Sequence, residues 1–100
     1  MKFFVKFEVF PTITGVSPEM ARLRENVGKA IGRVMQSGKV ESGGILTNIR
    51  GGYFVLKDIA TGEELLELLG GELLDNCKIE TYPVTSFEAL GDFFRRHPAG

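Results

Sequence analysis

KFFVKFEVF, at residues 2–10, is the stretch that decides the fold of this chain. Apolar residues alternate with a mixed set along it, and a period of two is typical of a β-strand whose two faces meet different surroundings. The first face is apolar throughout and consists of Phe3, Val5, Phe7 and Val9. The second face mixes aromatic and charged side chains. The stretch therefore predicts a strand with one buried face and one face of unusual character.

A helix is predicted after this strand. Ser17 and Pro18 form a helix start, with Ser as the cap and Pro in the first turn, and Gly38 is a typical residue beyond a helix end. Gly28 and Gly32 lie one turn apart inside the helix. Because glycine is unfavourable there, the pair predicts a close approach of the backbone to the sheet or to a partner. Apolar residues recur at helical spacing: Met20, Leu23, Val27, Ile31, Val34 and Met35.

The middle of the chain predicts a β-hairpin. Residues 40–50 form a second extended segment, in which Gly43-Gly44 indicates a bulge or kink. The pair Gly51-Gly52 indicates a two-residue turn, because glycine supplies the positive φ angles that tight hairpins need. Residues 53–58 return as the third strand.

Two helices and a strand complete the predicted order. A capping box at residues 61–64 opens a helix that Gly70-Gly71 ends, and residues 77–82 form the fourth strand. A last short helix begins at Ser86. The order β-α-β-β-α-β with an added C-terminal helix predicts one α+β, ferredoxin-like domain over residues 1–100. Its four-stranded antiparallel sheet carries the two main helices on one face.

Composition argues against several classes of function. The formal net charge of −1 provides no basic footprint for nucleic acid. No apolar run approaches the roughly 18 residues that span a membrane. One cysteine and one histidine cannot build a structural zinc site, and the glycine pairs lack the phosphate-loop and dinucleotide patterns. We expect no metal and no cofactor, and, without a recognisable targeting segment, a cytoplasmic protein.

The outward face of the predicted sheet combines large apolar groups with charges of both signs. Exposed on a monomer, such a patch usually marks an interface, so we expect a homodimer or larger homo-oligomer with sheets stacked face to face. A monomer with an amphipathic sheet face is the alternative. If no bulge shifts the register, the face consists of Phe4, Lys6, Glu8, Phe10, Leu46, Asn48, Arg50, Tyr53, Val55, Lys57, Lys78, Glu80 and Tyr82.

Several strings resemble the dimeric α/β-barrel superfamily, and muconolactone isomerase-like proteins within it. They are MKFFVKF (1–7), the Ser17-Pro18 helix start with its QSG end (36–38), GGYFVLKD (51–58), EEL (63–65), IE (79–80) and RHP (96–98). The resemblance implies a dimeric barrel and an isomerase that moves a proton within a small, often carboxylated ring compound. Its cavity is then expected between sheet and helices, near the oligomer interface. Other branches of the superfamily, the cofactor-free monooxygenases and the stress-response proteins, stay open as alternatives.

Candidate catalytic and binding residues follow from the outward face. Glu8 and Glu80 are candidate general bases, and Tyr82 is a candidate proton donor. Side chains that can hold a substrate carboxylate or stabilise an enolate are Lys6, Asn48, Arg50 and Lys57. The competing interpretation is structural: Lys6–Glu80 and Glu8–Lys57 are then cross-strand ion pairs, and the face is only the seam of a non-catalytic oligomer. The sequence does not decide whether the chain is an enzyme.

Overall fold

A computed structural model describes residues 1–10 and 18–99 of the protein. The strands form one antiparallel sheet in the order β2-β3-β1-β4. This ferredoxin-like α+β architecture confirms the predicted fold, while the expected helix cap at Ser17 lies outside the described residues. The elements in chain order are β1 (Lys2–Val9), α1 (Pro18–Met35), β2 (Val40–Leu46), β3 (Gly51–Leu56), α2 (Gly62–Asn76), β4 (Cys77–Val84) and α3 (Phe87–Arg96).

The two faces of the sheet follow the alternation along its central strand, β1. Phe7 lies opposite Gly52 of β3 and Ile79 of β4, whereas Lys6 lies opposite Tyr53 and Glu80. Helices α1 and α2 cover the Phe7 side, which we call the inner face; the Lys6 side is the outer face. The core beneath the helices consists of Val5, Phe7, Val27, Ala30, Val34, Phe54, Leu56, Ile59, Leu65, Leu69, Leu73 and Cys77.

The connection between β2 and β3 differs from the prediction. Leu46 pairs with Gly51, so residues 47–50 form the turn, and the predicted two-residue turn at Gly51-Gly52 is wrong. Neither glycine has a positive φ. A methyl group at Gly52 would lie 2.5 Å from the carbonyl oxygen of Gly44 and 2.8 Å from the ring of Phe7. Glycine is therefore required here for close packing inside the sheet.

β2 and β4 form the two edges of the sheet. In β2 the register shifts between Val40 and Ser42, which leaves Glu41 as an extra residue, two positions before the predicted bulge. β4 continues through Pro83 to Val84, beyond its predicted end. Proline has no N–H to donate, so it is tolerated there because β4 has a neighbour on one side only.

The glycines of the two long helices act differently from each other. A Cβ atom at Gly28 or Gly32 of α1 would meet nothing within 4 Å, so the predicted close approach to the sheet is absent. Gly70 of α2 has φ +77° and interrupts the helix that it was expected to end. Nη2 of Arg33 donates to the carbonyl oxygen of Leu69 at 3.0 Å, and thereby satisfies a group at the break.

Helix α3 extends away from the rest of the chain. Among the described residues it makes no substantial packing contact with another element, and none of its own residues is buried. The radius of gyration is 16.6 Å, against about 13 Å for a compact chain of this length. The longest dimension is 61 Å. The exposed fractions of its large apolar residues are 92% for Phe87, 45% for Leu90, 49% for Phe93 and 59% for Phe94.

Candidate functional site

Three of the predicted site residues meet on the outer face. Oη of Tyr82 donates a hydrogen bond to Oε2 of Glu80 at 3.1 Å, and Nζ of Lys6 lies 4.0 Å from the same oxygen. Nζ of Lys78 lies 3.6 Å from Oε1 of Glu80. One carboxylate is thus shared by a phenol and two ammonium groups. We call these four residues the Glu80 cluster.

The Glu80 cluster changes the acidity of its phenol. The pKa of Tyr82 is raised above its ordinary value of 10.0 because its hydroxyl donates to the carboxylate of Glu80. The negative charge of that carboxylate also disfavours a phenolate beside it. Tyr82 is therefore a hydrogen-bond donor at neutral pH and not a base. The side chain of Glu80 remains 33% exposed, so water reaches the cluster.

An aromatic row borders the cluster. The ring of Phe4 stacks on Tyr53 with centroids 5.7 Å apart, and it lies 6.3 Å from the ring of Tyr82. Val55 lies directly opposite Phe4 on β3. Helices α1 and α2 do not cover this row, because they pack on the inner face and Phe4 points to the outer face. The row is an apolar surface with an ionic cluster beside it.

Glu8 and Lys57 lie far apart on the outer face. Glu8 is opposite Gly51 on β3 and Lys78 on β4. Lys57 follows Gly51 by six residues, about 20 Å along an extended strand. The predicted cross-strand pair between Glu8 and Lys57 is therefore wrong. Lys57 lies just beyond the end of β3, where its backbone N–H donates to the carbonyl oxygen of Lys39 at 2.8 Å.

Asn48 and Arg50 were expected on the outer face, but they belong to the turn at 47–50, where strand alternation does not apply. The carbonyl oxygen of Arg50 accepts from the N–H of Val9 at 2.8 Å, which holds this residue beside the end of β1. Arg50 lines a cleft next to α1. Strand alternation therefore does not bring Arg50 together with Glu8 and Tyr82.

The cleft beside Arg50 has a volume of about 190 Å³ and lies between α1 and the end of β1. Its described lining is apolar except for two arginines, and we call it the arginine cleft. No acidic residue lines it within the described part of the chain. The lining consists of Val9, Met20, Leu23, Arg24, Val27, Gly28, Ile31 and Arg50.

The spacing of residues along α1 builds one wall of the arginine cleft. Met20, Arg24 and Gly28 follow one another at intervals of four, so they lie on one line along the helix. A Cβ atom at Gly28 would meet nothing within 4 Å, and its absence leaves room in the cleft. Arg24 was not among the residues predicted from the sequence. A cation at this spacing, on the flank of the apolar face, was the signal that could have identified it.

The chemistry of the arginine cleft suits an anion with an apolar body. Guanidinium groups donate paired hydrogen bonds in a fixed plane, which matches a carboxylate. Within residues 1–10 and 18–99, no group of three or more potential metal ligands lies close enough together to hold a metal ion. No helix of the described chain is long and apolar enough to cross a membrane.

No protein-family model matches this chain, and no curated protein matches it significantly. The fold is therefore assigned from the structure alone. The order of the strands in the sheet is the feature that this chain shares with ferredoxin-like proteins. The resemblance to muconolactone isomerase-like proteins stays a prediction.

Proposed function

We propose that this protein binds a small apolar carboxylate in the arginine cleft. The observation that carries the proposal is the pair of arginines, Arg24 and Arg50, on an otherwise apolar cleft of about 190 Å³. An apolar cavity of about 150 Å³ in another protein accepts benzene, so a single-ring molecule is the appropriate size. Ligand pockets for larger compounds usually exceed about 300 Å³.

The arginines and the apolar wall divide the work of recognition. The wall, which includes Leu23, Val27 and Ile31, removes the hydrocarbon part of the ligand from water. A guanidinium beside this wall pairs with the carboxylate, and such charge-assisted hydrogen bonds are stronger than neutral ones. An uncharged ester of the same ring should therefore bind much more weakly than the acid.

A titration followed by amide NMR shifts tests this proposal. The probes are single-ring carboxylates, including benzoate and lactone acids, each compared with its methyl ester. We expect the acids to shift the amides of Val9, Val27 and Gly28. Arg50→Met should weaken binding by roughly 10-fold or more, the effect of losing a charge-assisted hydrogen bond.

Arg22→Met is the control for the loss of one arginine. Arg22 is exposed on α1, the helix that forms one wall of the cleft, but it does not line the cleft. It should leave binding unchanged. Equal binding of acids and esters would contradict the proposal, and so would an equal loss in the Arg22 and Arg50 variants.

A proton-transfer isomerase, the activity implied by the resemblance to muconolactone isomerase-like proteins, is the second candidate. The Glu80 cluster favours it, because it combines a carboxylate, a protonated phenol and ammonium groups within hydrogen-bonding and ion-pairing distances. These groups lie on the face of the sheet opposite the arginine cleft. Such a reaction would therefore take place on the outer face, with a second copy enclosing the substrate.

Isomerase assays on lactone acids distinguish this candidate from a non-catalytic binding protein. Glu80→Gln should reduce turnover by about 10²–10⁴-fold, the usual contribution of a general base. Glu8→Gln tests the other predicted base. Glu8 lies on β1, two residues beyond Lys6, which is the residue opposite Glu80. Turnover that survives both substitutions would exclude both carboxylates as the base. No turnover of any lactone acid by the unmodified protein would leave binding as the function.

The second copy is itself part of the proposal. The aromatic row gives the outer face an apolar surface that no helix within residues 1–10 and 18–99 covers, and stacking two sheets would bury it. Phe4→Asp should shift the sedimenting species towards monomer, while far-UV circular dichroism shows that the fold is retained. Asn26→Asp, on the exposed side of α1, is the control. An unchanged dimer in the Phe4 variant would contradict sheet stacking.

A further inference from the structure

We propose that helix α3 docks into an apolar groove on a second copy of this chain. The groove has a volume of about 230 Å³, lies between α1 and the edge strand β2, and is here called the β2 groove. Ile45 and Met35 on its rim are 82% and 50% exposed. Its lining consists of Phe7, Ile31, Met35, Gly43, Gly44, Ile45, Tyr53 and Phe54.

Helix α3 has the form of a helix that binds in a groove. Phe87, Leu90 and Phe94 follow one another at intervals of three and four, the spacing of the anchors in helix-in-groove complexes. On the other side of the helix, Arg95 pairs with Asp92. The groove is larger than the cavity of about 150 Å³ that holds benzene in another protein, so it accepts at least one phenyl ring. Phe87, the most exposed of the three, is the first anchor.

A chain cannot place Phe87 in its own β2 groove. β4 and β2 are opposite edges of the sheet, three strand spacings or about 14 Å apart. Val84 pairs with Lys2, five residues or about 17 Å along β1 from Phe7, which lines the groove. The chain from Val84 to Phe87 spans at most about 11 Å. The groove that receives Phe87 therefore belongs to another molecule.

In a twofold pair each copy supplies one helix and one groove, so the apolar side of α3 and the β2 groove are covered in both copies. The exposed parts of the three anchors, Phe87, Leu90 and Phe94, add up to about two whole side chains, or roughly 300–500 Å². When the groove of the same copy is also covered, each copy buries roughly twice that area. Stable complexes typically bury about 800 Å² per partner, so the area suffices for a dimer.

Sedimentation velocity over a range of protein concentrations tests the docking. Phe87→Glu and Ile45→Glu should each raise the dimer dissociation constant by at least roughly 30-fold, the effect expected of a central interface residue. Both side chains are highly exposed, so neither change should disturb folding. Glu88→Gln on α3 is the control and should leave the dimer unchanged.

Two outcomes overturn the docking of α3. One is wild-type association in both the Phe87 and the Ile45 variants. The other is a dimer that depends on Phe4 alone, which would assign the interface to the outer face without α3. Neither outcome bears on Arg24 and Arg50, because Ile31 is the one lining residue that the arginine cleft shares with the β2 groove.

Cross-linking tests which chain supplies the groove. The single variants Phe87→Cys and Ile45→Cys are mixed and treated with a short bis-maleimide; Cys77 is buried and should not compete. We expect a product that joins the two different chains and that disappears when Phe94→Glu is added to the helix variant. A link within one molecule of the double variant at high dilution would overturn the proposal. The absence of any link in an intact dimer would do the same.

Discussion

The inner and outer faces of the sheet are built by the same strands, yet only one of them is covered. Leu56 on the inner face is fully buried, while its neighbour Val55 points to the outer face and is only partly buried. The helices that follow β1 and β3 pack on the inner face, whereas no helix of the described part of the chain packs on the outer face, which carries the aromatic row. The comparison indicates that the inner face holds the chain in its fold and that the outer face is available for association.

The largest effect should come from shortening a side chain on the inner face. Leu56→Ala should lower the free energy of unfolding by about 2–5 kcal/mol, since a buried cavity remains where the side chain was. Val55→Ala, one residue away, should cost about 1 kcal/mol or less, because little buried contact is lost. Urea unfolding at low protein concentration measures both without a contribution from association. Equal losses would contradict the division between the faces.

A smaller effect should come from adding a methyl group to the sheet. Gly52→Ala places a Cβ atom 2.5 Å from the carbonyl oxygen of Gly44, and overpacking of this kind costs about 1–3 kcal/mol. Gly44→Ala meets only the ring of Tyr53, at 3.1 Å, and that side chain can move. The Gly44 variant should stay within about 0.5 kcal/mol of the parent, as surface substitutions usually do. Thermal unfolding ranks the two variants, and the reverse order would show that this strand pair is not tightly packed.

The covered side also carries a pH-dependent contact at the start of α2. The N–H of Ala60 donates to the carboxylate of Glu64, Lys39 pairs with it, and together they lower its pKa below the ordinary value of 4.5. A lowered pKa in the folded state stabilises the fold above pH 4.5, and this contribution is lost as the pH falls through the folded-state pKa. Glu64→Gln should therefore reduce the melting temperature at neutral pH and converge with the parent in acid.

Melting temperatures measured across the acid range check this expectation. Glu63→Gln is the matched control, because it removes the same charge from the same helical turn without the contact to Ala60. If both variants gave the same pH profile, the helix dipole alone would account for the effect.

The smallest effect should be a change in acidity on the outer face. Glu80→Gln removes the charge that the hydroxyl of Tyr82 faces, so the pKa of Tyr82 should fall towards 10.0. Phenolate absorbance measures this in a Tyr53→Phe background, which leaves Tyr82 as the only tyrosine. Glu8→Gln should change the titration less. A titration that is identical with and without Glu80 would mean that the hydrogen bond is absent in solution.

The sequence predicted the fold because strand and helix periods are local properties. Alternation along β1 assigned Phe4 and Lys6 to one face and Phe7 to the other, and the register confirms this. The β2–β3 hairpin is confirmed, but its turn was predicted at the wrong place because a glycine pair indicates either a tight turn or a close approach between strands. Only the contact of Gly52 with the carbonyl oxygen of Gly44 distinguishes these two.

The site was harder to predict than the fold. Lys6, Glu80 and Tyr82 could be grouped because they lie in regular strands, where opposite residues follow from the register. Arg50 could not be placed, since the turn moved it away from the outer face. Arg24 had no strong local signal, because an arginine on a helix flank is usually solvated. The exposed apolar side of α3 was readable as a pattern, but a pattern does not say which surface covers it.

The two edges of the sheet also affect how the protein fails when it is stressed. An unprotected edge strand invites other chains to add to it and can start aggregation. Pro83 removes a donor from the β4 edge, and the extra residue Glu41 distorts the β2 edge and adds a charge there. Both features discourage uncontrolled strand addition at the two edges of the sheet.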